Sequence, residues 1–240
     1  MARYITLGLL AGLFAAVLAF VVATLTGEPS IEAAIALEEQ ASTNHHLDMA
    51  TSVGQNTDIS RAAQKSSGLF IGLALFGAAL GGLFSIVFAV AQGRLTVQSP
   101  RQTIAVLGSL GFVSVALLPM LKYPGNPPAI GNPETIGART ALYFIFMLFS
   151  IGSITGAIAM VRGAKTTRAK WLRGGVLYAL LMALAFVLAP STGDMSSGFP
   201  STVLWTFRAS NLAVHATLWA AISLCFAWLI ERTMPDHQHR

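Results

Sequence analysis

Apolar residues along the chain gather into six long runs, at about 4–25, 67–91, 103–121, 140–161, 171–189 and 209–230. Each is close to the ~20 residues that a helix needs to cross a hydrocarbon core about 30 Å thick. Lipid offers no partner for free backbone N–H and C=O groups, so each run is expected to be a helix. The expected fold is all-α: a polytopic transmembrane helix bundle of about six spans, forming a single integral-membrane domain over 1–240. The apolar part of the first run is about 22 residues long, beyond the roughly 7–15 of a signal-peptide core. A retained helix is therefore expected there rather than a processed leader.

The segments between the runs differ in kind. After the first span, "GEPSIEAAIALEEQ" predicts a short acidic helix, with Pro29 suited to a first helical position and acids suited to an N-terminus. Glu28, Glu32 and Glu39 fall on one of its faces, and Ile31, Ile35 and Leu37 give it an apolar side. The remainder, "ASTNHHLDMATSVGQNTDISRAAQKSS", has no apolar periodicity and is expected to be a polar, mobile loop. Small residues recur at helix-packing spacing: Gly8 with Gly12, Gly68 with Gly72, Gly77 with Gly81, and Gly152 with Gly156. Such pairs let helix backbones approach closely in lipid. No internal repeat supports an inverted-repeat transporter.

Composition agrees with a lipid solvent. The chain is 54% hydrophobic and 10% charged, where a soluble domain carries about 25% charged residues. The net charge of +5 is scattered through short connectors, without the basic-aromatic patch of a nucleic-acid module. Cys225, the one cysteine, permits no intrachain disulfide. With six spans, one side collects Arg3, Arg94, Arg101, Arg162, Lys165, Arg168, Lys170, Arg173, Arg232 and Arg240. The other has Arg61, Lys65, Lys122, Arg139 and Arg208. Ten against five places both termini in the cytoplasm by the positive-inside rule. Eight of the ten acids then fall outside: Glu28, Glu32, Glu38, Glu39, Asp48, Asp58, Glu134 and Asp194. That face suits the attraction of cations.

Four places carry candidate chemistry. "EEQASTNHHLD" combines Glu38, Glu39, His45, His46 and Asp48, a mixture of imidazole and carboxylate that suits Zn, Co, Ni or Cu ions. Adjacent histidines point differently, so this is either a capture site or a solvated loop. In the last span, Arg208, Asn211 and His215 share a helix face, with His215 about 10 Å from Arg208 along the axis. An ionisable group at that depth is either a functional ligand or a hydrogen-bonded structural histidine. A single intramembrane histidine does not make a bis-His haem site. "LKYPGNPPAIGNPETIGART" is the third place. Lys122 and Tyr123 suit the membrane interface, and Pro124, Pro127, Pro128 and Pro133 stiffen the backbone and remove donors. Asn126 and Asn132, each before a proline, are biased to extended or turn geometry. This rigid connector either lines a cation path with its carbonyls, with Glu134 and Arg139 placed to pair, or caps two helix ends. The tail "DHQHR" offers Asp236, His237 and His239 as weak ligands or as a frayed terminus. Walker, GxSxG and HExxH motifs are absent from the sequence, and no enzyme is expected.

Three blocks, "GEPSIEAAIALEE", "LLPMLKYPGNPPAIGNPETIGARTALYF" and "FPSTVLWTFRASNLAVHATLW", together resemble the CbtA family of predicted cobalt transporter subunits. Their order and spacing cover nearly the whole chain, and the proline-rich block is the most specific. The matching blocks contain Glu28, Pro29, Lys122, Tyr123, Pro124, Asn126, Pro127, Pro128, Glu134, Arg139, Arg208 and His215. The resemblance implies Co²⁺ uptake (Ni²⁺ or Zn²⁺ being the other ions considered) linked to cobalamin synthesis; the short cytoplasmic loops fit a bacterial inner membrane. It also implies a small single-span, His-rich CbtB-like partner. The family is described with five spans, where the apolar pattern here gives six. Within this reading Co²⁺ is cargo, no cofactor is permanently bound, and membrane lipids and a homo-oligomer are further expected partners. Glu28, Glu32, Glu134, His45, His46 and His215 are the candidate metal ligands, and the connector residues with Arg208 and Asn211 form its frame. The rival readings are a non-transporting scaffold subunit and an intramembrane redox protein.

Overall fold

The computed structural model describes residues 1–46, 60–94, 99–127, 133–161, 163, 166–191 and 199–233, with 41–46 and 133 as backbone only. Six helices are long and apolar enough to cross a membrane: α1 (Ala2–Gln40), α2 (Arg61–Ala91), α3 (Pro100–Lys122), α4 (Ile136–Met160), α5 (Thr167–Leu188) and α6 (Ser201–Thr233). No strand occurs among the described residues. The ends of several helices follow from local sequence. Ser99 and Gln102 form a reciprocal capping box around Pro100 at the start of α3. Ser60 and Thr166 cap α2 and α5 through their side-chain oxygens. Gly93, at φ 76°, turns the chain out of α2.

Three expected boundaries are corrected. The acidic helix does not start afresh at Pro29; it continues the first span, and helical backbone runs on to His46. Proline cannot donate to the preceding turn, and a π-helical turn at Ala23–Gly27 absorbs the misfit. Two carbonyls of this turn accept from side chains: Ser30 Oγ donates to Gly27 O at 2.7 Å and Ser210 Oγ of α6 to Thr26 O at 2.6 Å. Pro119 in α3 likewise follows a π-helical turn, at Phe112–Leu117. The expected polar loop is shortened, because 41–46 and 61–66 are helical; its middle, 47–59 with Asp48 and Asp58, lies outside the described residues. The last helix begins at Ser201, eight residues before the apolar run at 209–230, and carries Arg208, Asn211 and His215 together as expected.

At 39 residues, α1 is about 58 Å long, near twice the thickness of a hydrocarbon core. Its apolar half crosses α2 antiparallel through glycine. A Cβ on Gly8 would strike the Gly81 carbonyl and Ser85, and one on Gly12 the Gly77 carbonyl. Ala11, Ala15, Ala16 and Ala19 complete this seam, buried almost completely. Against it, α6 and α3 place Phe226, Ile222, Leu218, Trp219 and Ile104, with Phe84 and Phe88 of α2 stacking edge-on to Phe226. The other two glycine pairs do no such work. A Cβ on Gly72, Gly152 or Gly156 would meet nothing within 4 Å. A second, smaller cluster of Tyr123, Phe146 and Met182 joins the end of α3 to α4 and α5.

Candidate functional site

The proline connector after α3 is held from two sides. Lys122 Nζ donates to the Phe186 carbonyl in the last turn of α5 at 2.8 Å, where helix carbonyls lack intrahelical donors and the dipole favours a cation. Tyr123, itself buried, donates its hydroxyl to the Pro190 carbonyl at 2.8 Å and packs edge-on against Phe146 of α4. From the other side, Arg208 of α6 donates to Asn126 Oδ1 at 3.0 Å and to the Gly125 carbonyl at 3.4 Å. Its guanidinium also lies 5.6 Å from the Trp205 ring centre. Glycine suits position 125 because a Cβ would come 3.2 Å from Asn211 Nδ2. Pro124, Gly125, Arg208 and Asn211 thus line one cleft of about 270 Å³ with Trp205 and Met120. Pro127 is buried, and Pro128 lies outside the described residues.

The carboxylates of α1 face bases. Glu28, 7% exposed, pairs with Arg61 at 2.5 Å; Glu32 pairs with Lys65 at 2.8 Å on the surface. The hydrogen bond and charge of Lys65 hold the Glu32 carboxyl below its ordinary value. Two acids four residues apart meet two bases four residues apart, a match visible in the sequence once α2 is extended back to Arg61. Glu28 lies two residues beyond Thr26, whose carbonyl Ser210 holds. Ser210 and Arg208 are two residues apart on α6, so they point to nearly opposite faces. The Glu28–Arg61 pair and the connector cleft therefore flank the same turn of α6.

His215 stands apart from both. Its ring meets Phe76 of α2 edge-on, centroids 6.0 Å apart. It does not line the cleft that Arg208 and Asn211 share. Glu134 is exposed at the start of α4, and Arg139 is half-buried on its first turn. The side chains of His45 and His46 lie outside the described residues, as does the tail with Asp236, His237 and His239. Among the described residues no group of three or more His, Cys, Asp or Glu side chains could hold a metal ion. Sequence reasoning missed Arg61, Lys65, Ser210 and Trp205, which hold the acids, the π-turn carbonyl and Arg208.

These features define a multi-pass helical membrane protein whose connectors are tied to helix ends by buried polar contacts. The family described as probable cobalt transporter subunit (CbtA) matches residues 1–231, and the chain belongs to it. No curated protein and no solved structure matches the chain.

Proposed function

We propose that the chain is the membrane subunit of a bacterial inner-membrane transporter that takes up Co²⁺ for cobalamin synthesis, with both termini cytoplasmic. The observation that carries this reading is the family match, which runs across all six helices. The outer acids raise the local cation concentration. Glu28 and Glu32 then lie near the α1 π-turn, and the connector cleft lies across α6 from Glu28. An arriving divalent cation competes with Arg61 and Lys65 for the two carboxylates, so release of a base accompanies capture of the ion. His215, deeper on α6, supplies a borderline-soft nitrogen ligand. Partner residues, from a single-span His-rich CbtB-like subunit, and water complete the coordination of the ion in transit. Each inward charge gains about 2.3 kcal/mol per 100 mV of membrane potential, or a separate subunit energises the step.

A second reading has support of its own. Lys122 and Tyr123 are committed to carbonyls at the end of α5 and Arg208 to the proline connector, which suits a scaffold subunit that does not itself conduct. Co²⁺ uptake by cells expressing wild-type, His215→Ala and Glu28→Gln protein at equal levels decides between them. The transport reading expects a loss of uptake in both variants. Unchanged uptake in both removes this path and leaves the scaffold.

A further inference from the structure

At the other end of the bundle from the proline connector, α3, α4 and α5 enclose an open groove of about 160 Å³. Its walls are apolar: Leu110, Ile154, Ala157 and Val161. Gly174 and Gly175 leave the α5 wall bare, and a Cβ on Gly175 would meet nothing within 4 Å. The mouth is basic and aromatic. Arg94, swung out by the Gly93 turn after α2, and Lys170, on the first turn of α5, converge there with Trp171. Neither base has a carboxylate partner among the described residues. The reason lies in the sequence. The two connectors on this side, 92–102 and 162–170, contain six bases and no acid. On the opposite side Arg61 and Lys65 are both neutralised by α1.

We propose that this groove is a binding site for an anionic phospholipid, its phosphate held between Arg94 and Lys170 and an acyl chain lying along α4 and α5 against Gly174 and Gly175. Any groove in a bilayer fills with acyl chain. Two uncompensated cations from different connectors select for negative charge at the head, as basic pockets between helices do at a cytoplasmic leaflet. Trp171, 38% exposed, sits where an indole favours the interface. The lipid joins α4 and α5 to the end of α2, two parts of the bundle that otherwise meet through α3.

Native mass spectrometry of the full chain, titrated separately with phosphatidylglycerol and phosphatidylcholine, tests the site. Wild-type protein is expected to retain phosphatidylglycerol in preference. Neutralising both bases (Arg94→Gln with Lys170→Gln) weakens that retention about thirty-fold, at about a kcal/mol per charge. Neutralising Arg3 and Arg232 instead leaves it unchanged. Gly175→Leu, which fills the groove without altering charge, also abolishes the preference, whereas a merely diffuse attraction to the basic face survives it. Equal binding of the two lipids by wild type, full retention by either groove variant, or displacement of phosphatidylglycerol by an equal concentration of inorganic phosphate overturns the proposal.

Discussion

The two flanks of this bundle are built on different physics. On one, α1, α2 and α6 are joined by close backbone approach at Gly8, Gly12, Gly77 and Gly81 and by a core of buried aromatics. On the other, α4 and α5 pack through one small cluster and are tethered by the Lys122 and Tyr123 hydrogen bonds to carbonyls at the end of α5. Of the apolar stretch of α5, 6% is buried within the protein, against 39% of that of α1. In lipid there is little hydrophobic force between helices, so close van der Waals packing and polar contacts decide which helices hold together. The first flank has the packing. The second relies on the polar contacts, and its lipid-facing surface is correspondingly large.

Substitutions that act on one flank alone break this contrast most visibly. Gly12→Leu is expected to cost about 3 kcal/mol or more, because the new side chain meets the Gly77 backbone, which has no room to yield. Gly156→Leu, at the same sequence spacing but facing open space, stays within about 0.5 kcal/mol. Thermal unfolding of the purified variants in detergent measures both, and equal losses would erase the distinction between the flanks.

Arg61→Gln comes next. It leaves Glu28 as an uncompensated buried charge, with an expected loss of about 3 kcal/mol. Lys65→Gln removes a surface pair and leaves the melting temperature essentially unmoved. Tyr123→Phe removes one hydrogen bond, worth about 1 kcal/mol. Its sharper signature is local: amide hydrogen exchange accelerates in the last turns of α5 and not in α1. Uniform acceleration along the chain would show that the tether is not specific to the second flank. Ser210→Ala is expected to cost less again, about 0.6 kcal/mol in the same unfolding measurement, since Thr26 O loses the Ser210 donor.

Much of the architecture was legible before the fold. The six apolar runs match the six helices, two of them overrunning a helix end by one residue, because the width of the hydrocarbon core dictates run length and lipid dictates helix. The misread boundaries all concern residues whose behaviour depends on a neighbour. Pro29 reads as a helix start, and does not act as one, because a π-helical turn at Ala23–Gly27 carries the helix past it. The last helix reads as starting with its apolar run near 209 and begins at Ser201 instead, continuing past that run to Thr233. His215 was visible as an ionisable side chain inside an apolar run, but its partner, Phe76, lies 139 positions earlier on α2.

Sequence by itself determined the number of spans and the uneven distribution of charge between the segments that join them. These are local or one-dimensional properties, read by water and lipid directly. Only the tertiary structure decided which glycine pairs form a crossing, which carboxylates are neutralised, and that Arg208 and Asn211 join the proline connector while His215 turns to α2. Spacing along a helix assigns residues to a common face, but what that face meets depends on how the other helices are arranged around it.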